Sequence, residues 1–277
     1  MKYLTFSFIV LVFTSCEIIN TEEEIPAIID INDITVSGGY TSNISDAWVY
    51  VDNEFIGVYP LPASFPILKT GLQSIVIDAG IKKNGISSSR ENYDYYTSFT
   101  QDVNLESNKS TSLNPEISYS ISSFPFVEDF EGIGTVLEVI TDSANHQLEK
   151  VYDNSNSMFG NYHAKSTISG QFGEIFECNS ENINLPTDRK VYLELDYKCN
   201  STLVVGMYCN YPSQVVKSAV MYLNPKSNWN KIYISLSELI SNHTNAQDFK
   251  LFFGMSRDTT LTENNIFLDN IRLVYEE

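Results

Sequence analysis

Ala47-Trp48-Val49-Tyr50-Val51-Asp52-Asn53-Glu54-Phe55-Ile56-Gly57-Val58-Tyr59 is the stretch in which the chain declares its architecture. Ala47, Val49 and Val51 alternate with Trp48, Tyr50 and Asp52, and Phe55–Tyr59 follows a polar break at Asp52–Glu54. Alternation on both sides of a short polar break predicts two half-buried strands joined as a hairpin. The same texture, short apolar runs separated by Gly, Asn, Asp, Ser and Pro, continues from Ile25 onward. Ser64–Leu68 and Leu72–Ala79 repeat it across Lys69–Gly71, and Tyr95–Leu105 alternates over a longer span. No helical apolar period develops before about Ser235, so an all-β protein is expected.

The chain has 277 residues, 43% of them hydrophobic, with 17 Lys+Arg against 35 Asp+Glu and a net charge of -18. The hydrophobic fraction is that of a globular protein, which excludes a disordered chain and a membrane bundle, and the length suits about two domains. Nucleic acid is excluded as a partner, because phosphate binding needs clustered Lys and Arg and no stretch supplies them.

Lys2 precedes an apolar run from Tyr3 to Phe13, followed by Thr14, Ser15 and Cys16. A charged start, a short apolar core and small residues at its end describe a signal peptide over residues 1–15, too short to span a bilayer. Cys16 after Thr14 and Ser15 resembles the lipobox of bacterial lipoproteins, which implies lipidation of Cys16, with palmitate among the acyl chains, and a membrane partner through that anchor. Residues 16–25 then form a tether containing Glu22, Glu23 and Glu24. This acidic run resembles the export signal of Bacteroidetes-type lipoproteins, which implies display at the outer membrane, facing outward; the alternative is a plain solvated spacer. With Cys16 set aside, Cys178, Cys199 and Cys209 allow at most one bridge. Cys199 and Cys209 flank an expected hairpin of Leu193–Lys198 with Val204–Tyr208, a placement that favours buried free thiols.

Two modules account for the rest. Residues 26–114 contain Val49-Tyr50-Val51-Asp52-Asn53, Gly57, Pro60 and Pro62, and Leu68-Lys69-Thr70-Gly71-Leu72-Gln73-Ser74-Ile75. These features resemble the PEGA domain, which implies an Ig-like β-sandwich that binds or scaffolds. Residues 115–123 form a polar linker. Residues 124–277 open on Phe124-Pro125-Phe126-Val127-Glu128-Asp129-Phe130-Glu131-Gly132 and close on Ile266-Phe267-Leu268-Asp269-Asn270-Ile271-Arg272-Leu273-Val274. This pair of ends resembles the galactose-binding-like, carbohydrate-binding-module type of jelly roll. Strands are expected at Tyr192–Tyr197, Thr202–Tyr208, Ser218–Leu223, Trp229–Leu236 and Leu251–Met255, with Trp229 in the core.

The jelly-roll resemblance brings Glu128, Asp129 and Glu131 near Asp269 and implies one structural Ca2+, since clustered carboxylates repel without a cation. The alternative is that these acids cap turns or face solvent. Sugar binding needs aromatic platforms beside polar side chains. Tyr93, Tyr95 and Tyr96 near Asn92 and Asp94, Phe159 and Tyr162 with His163, and Tyr211 with Tyr208 and Tyr222 are the candidates, against the alternative that they fill cores. Catalysis has little support: His146, His163 and His243 are isolated in polar stretches, and no nucleophile elbow, zinc helix or phosphate loop occurs. A glycoside hydrolase, or an accessory role beside one, is the residual enzymatic reading. The expectation is therefore a non-catalytic envelope lipoprotein that binds a polysaccharide or other extracellular ligand through its jelly roll. The rival is a scaffold contacting envelope proteins in an outer-membrane assembly.

Overall fold

The computed structural model describes residues 24–140, 146–153, 155, 157 and 160–276. The signal peptide, Cys16 with the tether as far as residue 23, and Phe159 lie outside the described residues. The protein is all-β, with one short α-helix among the described residues.

The first body holds β1 (Ala27–Ile31), β2 (Thr35–Val36), β3 (Asp46–Val51), β4 (Glu54–Pro60), β5 (Ala63–Ile67), β6 (Gly71–Lys82), β7 (Arg90–Asn92), β8 (Phe99–Leu105), β9 (Ser110–Leu113) and β10 (Glu116–Ile117). The β3–β4 hairpin forms as expected, with Val51 opposite Glu54. Asp52 and Asn53 both take positive φ, 51° and 65°, the backbone that a tight hairpin turn requires and that Asp and Asn tolerate. One sheet runs β4-β3-β6, with β7 and β8 both pairing β6; a second runs β5-β1-β9, and β10 pairs β2 apart from them. Ile29, Ile31, Val49, Val51, Ile75 and Ile77 fill the core between the two larger sheets.

β5 pairs β1 and not β6, so Lys69–Gly71 carries the chain from one sheet to the other. Gly71 at φ +80° makes that change of direction at no Cβ cost.

The second body holds β11 (Phe126–Glu128), β12 (Glu138–Val139), β13 (Glu149–Tyr152), β14 (Tyr162–Ile168), β15 (Ile175–Asn179), β16 (Tyr192–Cys199), β17 (Leu203–Asn210), β18 (Val215–Leu223), β19 (Lys226–Ser235), the helix α1 (Ser237–Asn242), β20 (Asp248–Ser256) and β21 (Asn264–Val274). A six-stranded sheet runs β13-β14-β21-β16-β19, with β11 added on β21, and faces a five-stranded sheet, β12-β15-β20-β17-β18. The opening and closing strands pair, Val127 opposite Arg272. β16 and β17 are not a hairpin: they belong to opposite sheets, and the turn between them crosses the sandwich. Leu193, Leu195 and Cys199 therefore meet Leu203, Val205 and Cys209 across a common core. Cys178, Cys199 and Cys209 are free and buried.

The two bodies are fused along the outer face of the six-stranded sheet. Strand alternation sends Leu193, Leu195 and Tyr197 inward and leaves Tyr192, Glu194 and Asp196 on the other face. The first body covers that face. Glu194, fully buried, accepts hydrogen bonds from the Tyr93 hydroxyl (2.7 Å) and the Tyr119 hydroxyl (2.6 Å) and pairs with the Lys231 ammonium at 2.7 Å. Thr41 donates to Asp196 at 2.6 Å, Asn43 N donates to the Tyr233 hydroxyl at 3.1 Å, and the Tyr96 and Tyr233 hydroxyls lie 3.0 Å apart. Arg272 stacks on Tyr40, 4.7 Å from the ring centroid. A buried carboxylate is tolerated only when its lone pairs are filled, and Glu194 is filled by groups from both bodies.

Candidate functional site

The outer face of the five-stranded sheet carries an open depression. Alternation sends Phe253, Val205 and Cys178 into the core, and Glu177, Gly254, Val204 and Tyr222 form one cross-strand row on the outer face. Beside it lies a second row with Phe252 opposite Gly206. Gly206 is required there: a Cβ at that position would stand 2.3 Å from the Phe252 ring. The ring therefore lies flat on the sheet, tilted against Tyr208 with centroids 5.3 Å apart.

A polar set sits over these rings. The Lys217 ammonium lies 4.6 Å from the Phe252 centroid and 5.4 Å from that of Tyr208, and it pairs with Glu177. Tyr208 donates its hydroxyl to the other oxygen of the same carboxylate. Burial, reinforced by that carboxylate, raises the Tyr208 phenol pKa, so the group stays a neutral donor at neutral pH. Gly254 leaves no side chain in the middle of the face, where a cavity of about 410 Å³ opens. Its floor is Val204, Gly254 and Ala219, one wall carries Glu177 and Ile175, and the other is Tyr222, 67% exposed. A flat exposed ring, a small-residue floor and a fixed carboxylate–ammonium pair give apolar contact and both hydrogen-bond polarities in one trough.

Of the residues singled out from sequence, Tyr222 lines this trough and Tyr208 stands beside it, bonded to Glu177. Tyr93, Tyr95 and Tyr96 do not face solvent: they are 1%, 5% and 7% exposed, packed edge to face on Tyr192 and Tyr233 in the junction between the bodies. Their rings offer no free face to a sugar. Tyr162 lies on β14, next to the edge strand of the six-stranded sheet, against Tyr152 and beneath Lys150. Tyr211 is half-buried, with its hydroxyl 2.7 Å from His243 Nδ1. Trp229 is half-exposed, and not in the core, resting on His163 and Phe267. The histidines are engaged: His163 is buried with its pKa lowered by that burial and by Lys198, and His146 lies 2.7 Å from Glu174. Glu177, Lys217, Phe252 and Gly254 were not singled out; glycines inside apolar strand runs, Gly206 and Gly254, are the signal that marks them.

The acids expected to hold calcium are each engaged in hydrogen bonds within the protein. Glu128 accepts from Phe130 N, Val136 N and the Thr135 hydroxyl at 2.6–2.8 Å, and Glu131 accepts from Asn161 N and Tyr162 N at 2.7 and 2.8 Å. Asp129 accepts from Glu131 N, and Asp269, buried, from Asn270 N. Glu128 and Asp129 thus hold their own turn, Glu131 ties that turn to the start of β14, and Asp269 bonds its neighbour within β21. Among the described residues no three His, Cys, Asp or Glu side chains converge on a metal position.

No family model matches this chain. No curated protein matches it either. Solved structures similar to it include a carbohydrate-binding module of the β-sandwich superfamily, 12% identical, covering 92% of this chain and 100% of that one with a TM-score of 0.43. The CBM22-1 xylan-binding domain from Paenibacillus barcinonensis Xyn10C is 10% identical over 55% of this chain and 93% of its own, with a TM-score of 0.41. The family 30 carbohydrate-binding module of a Clostridium thermocellum cellulosomal cellulase is 15% identical over 55% and 91%, with a TM-score of 0.37.

Proposed function

We propose that this protein is a non-catalytic, lipid-anchored glycan-binding protein, displayed facing outward at the outer membrane, whose ligand is a polysaccharide held in the trough on the five-stranded sheet. The trough carries the reading: a pyranose C–H face can lie on Tyr222 while its hydroxyls reach Glu177 and Lys217, which are pre-oriented by their own pairing and by Tyr208. Acyl chains on Cys16 would hold the chain at the membrane, each buried methylene contributing about 0.8 kcal/mol. The acidic segment that follows, Glu22–Glu24, would keep the body clear of an anionic leaflet. The reading is tested by electrophoresis of residues 17–277 through gels containing soluble plant and microbial polysaccharides. Retardation by at least one polymer is expected, and migration unchanged by every polymer would refute it.

A further inference from the structure

The trough does not end at Tyr222. The same ring lines a second cavity of about 510 Å³, bounded on one side by β18 and β19 and on the other by the Asn84–Ser87 turn of the first body. That turn is fixed in place: Asn84 N donates to Tyr233 O and Ser235 N donates to Asn84 Oδ1, both at 2.8 Å. Asn84 and Gly85 hold φ of 56° and 67°, a two-residue left-handed pair that sets the turn rigidly. Ile86, 51% exposed, stands on the rim.

The charge around this cavity is opposite in sign to that of the chain as a whole. The chain carries 35 acids and a net charge of -18, yet no carboxylate lines this cavity, while Lys82 and Lys226 do. Lys231 also lines it but is committed to Glu194. Lys82 comes from the first body and Lys226 from the second, so the cationic wall exists only because the two are docked. Two lysines lining a cavity that has no carboxylate, on a chain of net charge -18, favour a negative group there.

Resting on the glycan reading above, we infer that the ligand is an acidic polysaccharide whose chain crosses Tyr222 and delivers a uronate carboxylate to Lys82 and Lys226. The trough takes the hydroxyl-bearing backbone and the junction cavity takes the charge. The first body is then part of the binding site and not a spacer.

Glucuronoxylan, polygalacturonate and alginate, each offered native and after chemical reduction of its carboxylates to alcohols, test this on residues 17–277. For a polymer that is retained, the native form is expected to bind about tenfold tighter than the reduced form. A Lys82→Met/Lys226→Met variant is expected to bind both forms alike, at the wild-type affinity for the reduced one. Equal wild-type affinity for the two forms, or a preference that survives in the double variant, overturns the inference and leaves the trough reading standing. Retention of no polymer in either form, with unmodified neutral glycans bound, also overturns it; retention of nothing at all removes both.

Discussion

Glu194 has no solvent-exposed surface, and its two oxygens receive the Tyr93 and Tyr119 hydroxyls and the Lys231 ammonium. Tyrosine is suited to that place because its ring fills the junction while its hydroxyl satisfies a charge that would otherwise be stranded. Burial, with the nearby carboxylate adding to it, raises Tyr93, Tyr96 and Tyr119 well above the ordinary phenol range. In the unfolded chain these groups ionise near pH ~10. A pKa raised in the folded state means that stability is intact below pH ~10 and falls as pH rises beyond it, since only the unfolded chain sheds the protons there. An ultraviolet titration is expected to show exposed tyrosines ionising first and the junction tyrosines ionising only with unfolding. The run Tyr93-Asp94-Tyr95-Tyr96 was legible as an aromatic cluster beside polar groups, which is equally the composition of a sugar platform and of a wet-edged interface. What separates the two is the partner surface, and Glu194 and Tyr233 lie more than a hundred residues away in the chain.

At the scale of elements, local rules served where the chain folds back on its nearest neighbour. Asp52–Asn53 made the β3–β4 hairpin readable because turn chemistry and alternation agree there. The same alternation misleads at Lys69–Gly71 and at Asn200–Thr202, because a strand pair joined by a turn and a strand pair split between two sheets have identical periodicity. Core packing across the sandwich decides between them. The trough shows a related limit: each of its strands was readable, but the side chains gathered on one face come from four of them. Gly206 is the element-level test. Gly206→Ala would drive a methyl group into the Phe252 ring, and a loss of about 1–3 kcal/mol in urea-unfolding stability is expected. A midpoint within error of wild type would show that the ring does not lie where the packing requires.

At the scale of the whole molecule, the junction makes two sandwiches one object. Each has its own apolar core, but Tyr192, Tyr233 and Val274 of the second belong to the core cluster of the first. The two are therefore expected to melt in one cooperative transition by calorimetry, and two resolved transitions would contradict the coupling. Lys231→Met should leave Glu194 without its cation and lower unfolding stability by about 3–5 kcal/mol, with part of the loss recovered in Lys231→Met/Glu194→Gln. The net charge of -18 acts at this scale as well, opposing adhesion to anionic surfaces. The trough remains the centre of the functional reading, and Tyr222 is its exposed wall, so its removal leaves the core untouched. The decisive measurement is titration calorimetry of wild type and Tyr222→Ala with a polysaccharide that retards the wild type. A loss of affinity of about tenfold or more with an unchanged melting temperature is expected, and undiminished binding by Tyr222→Ala would contradict the placement of the ligand on this face.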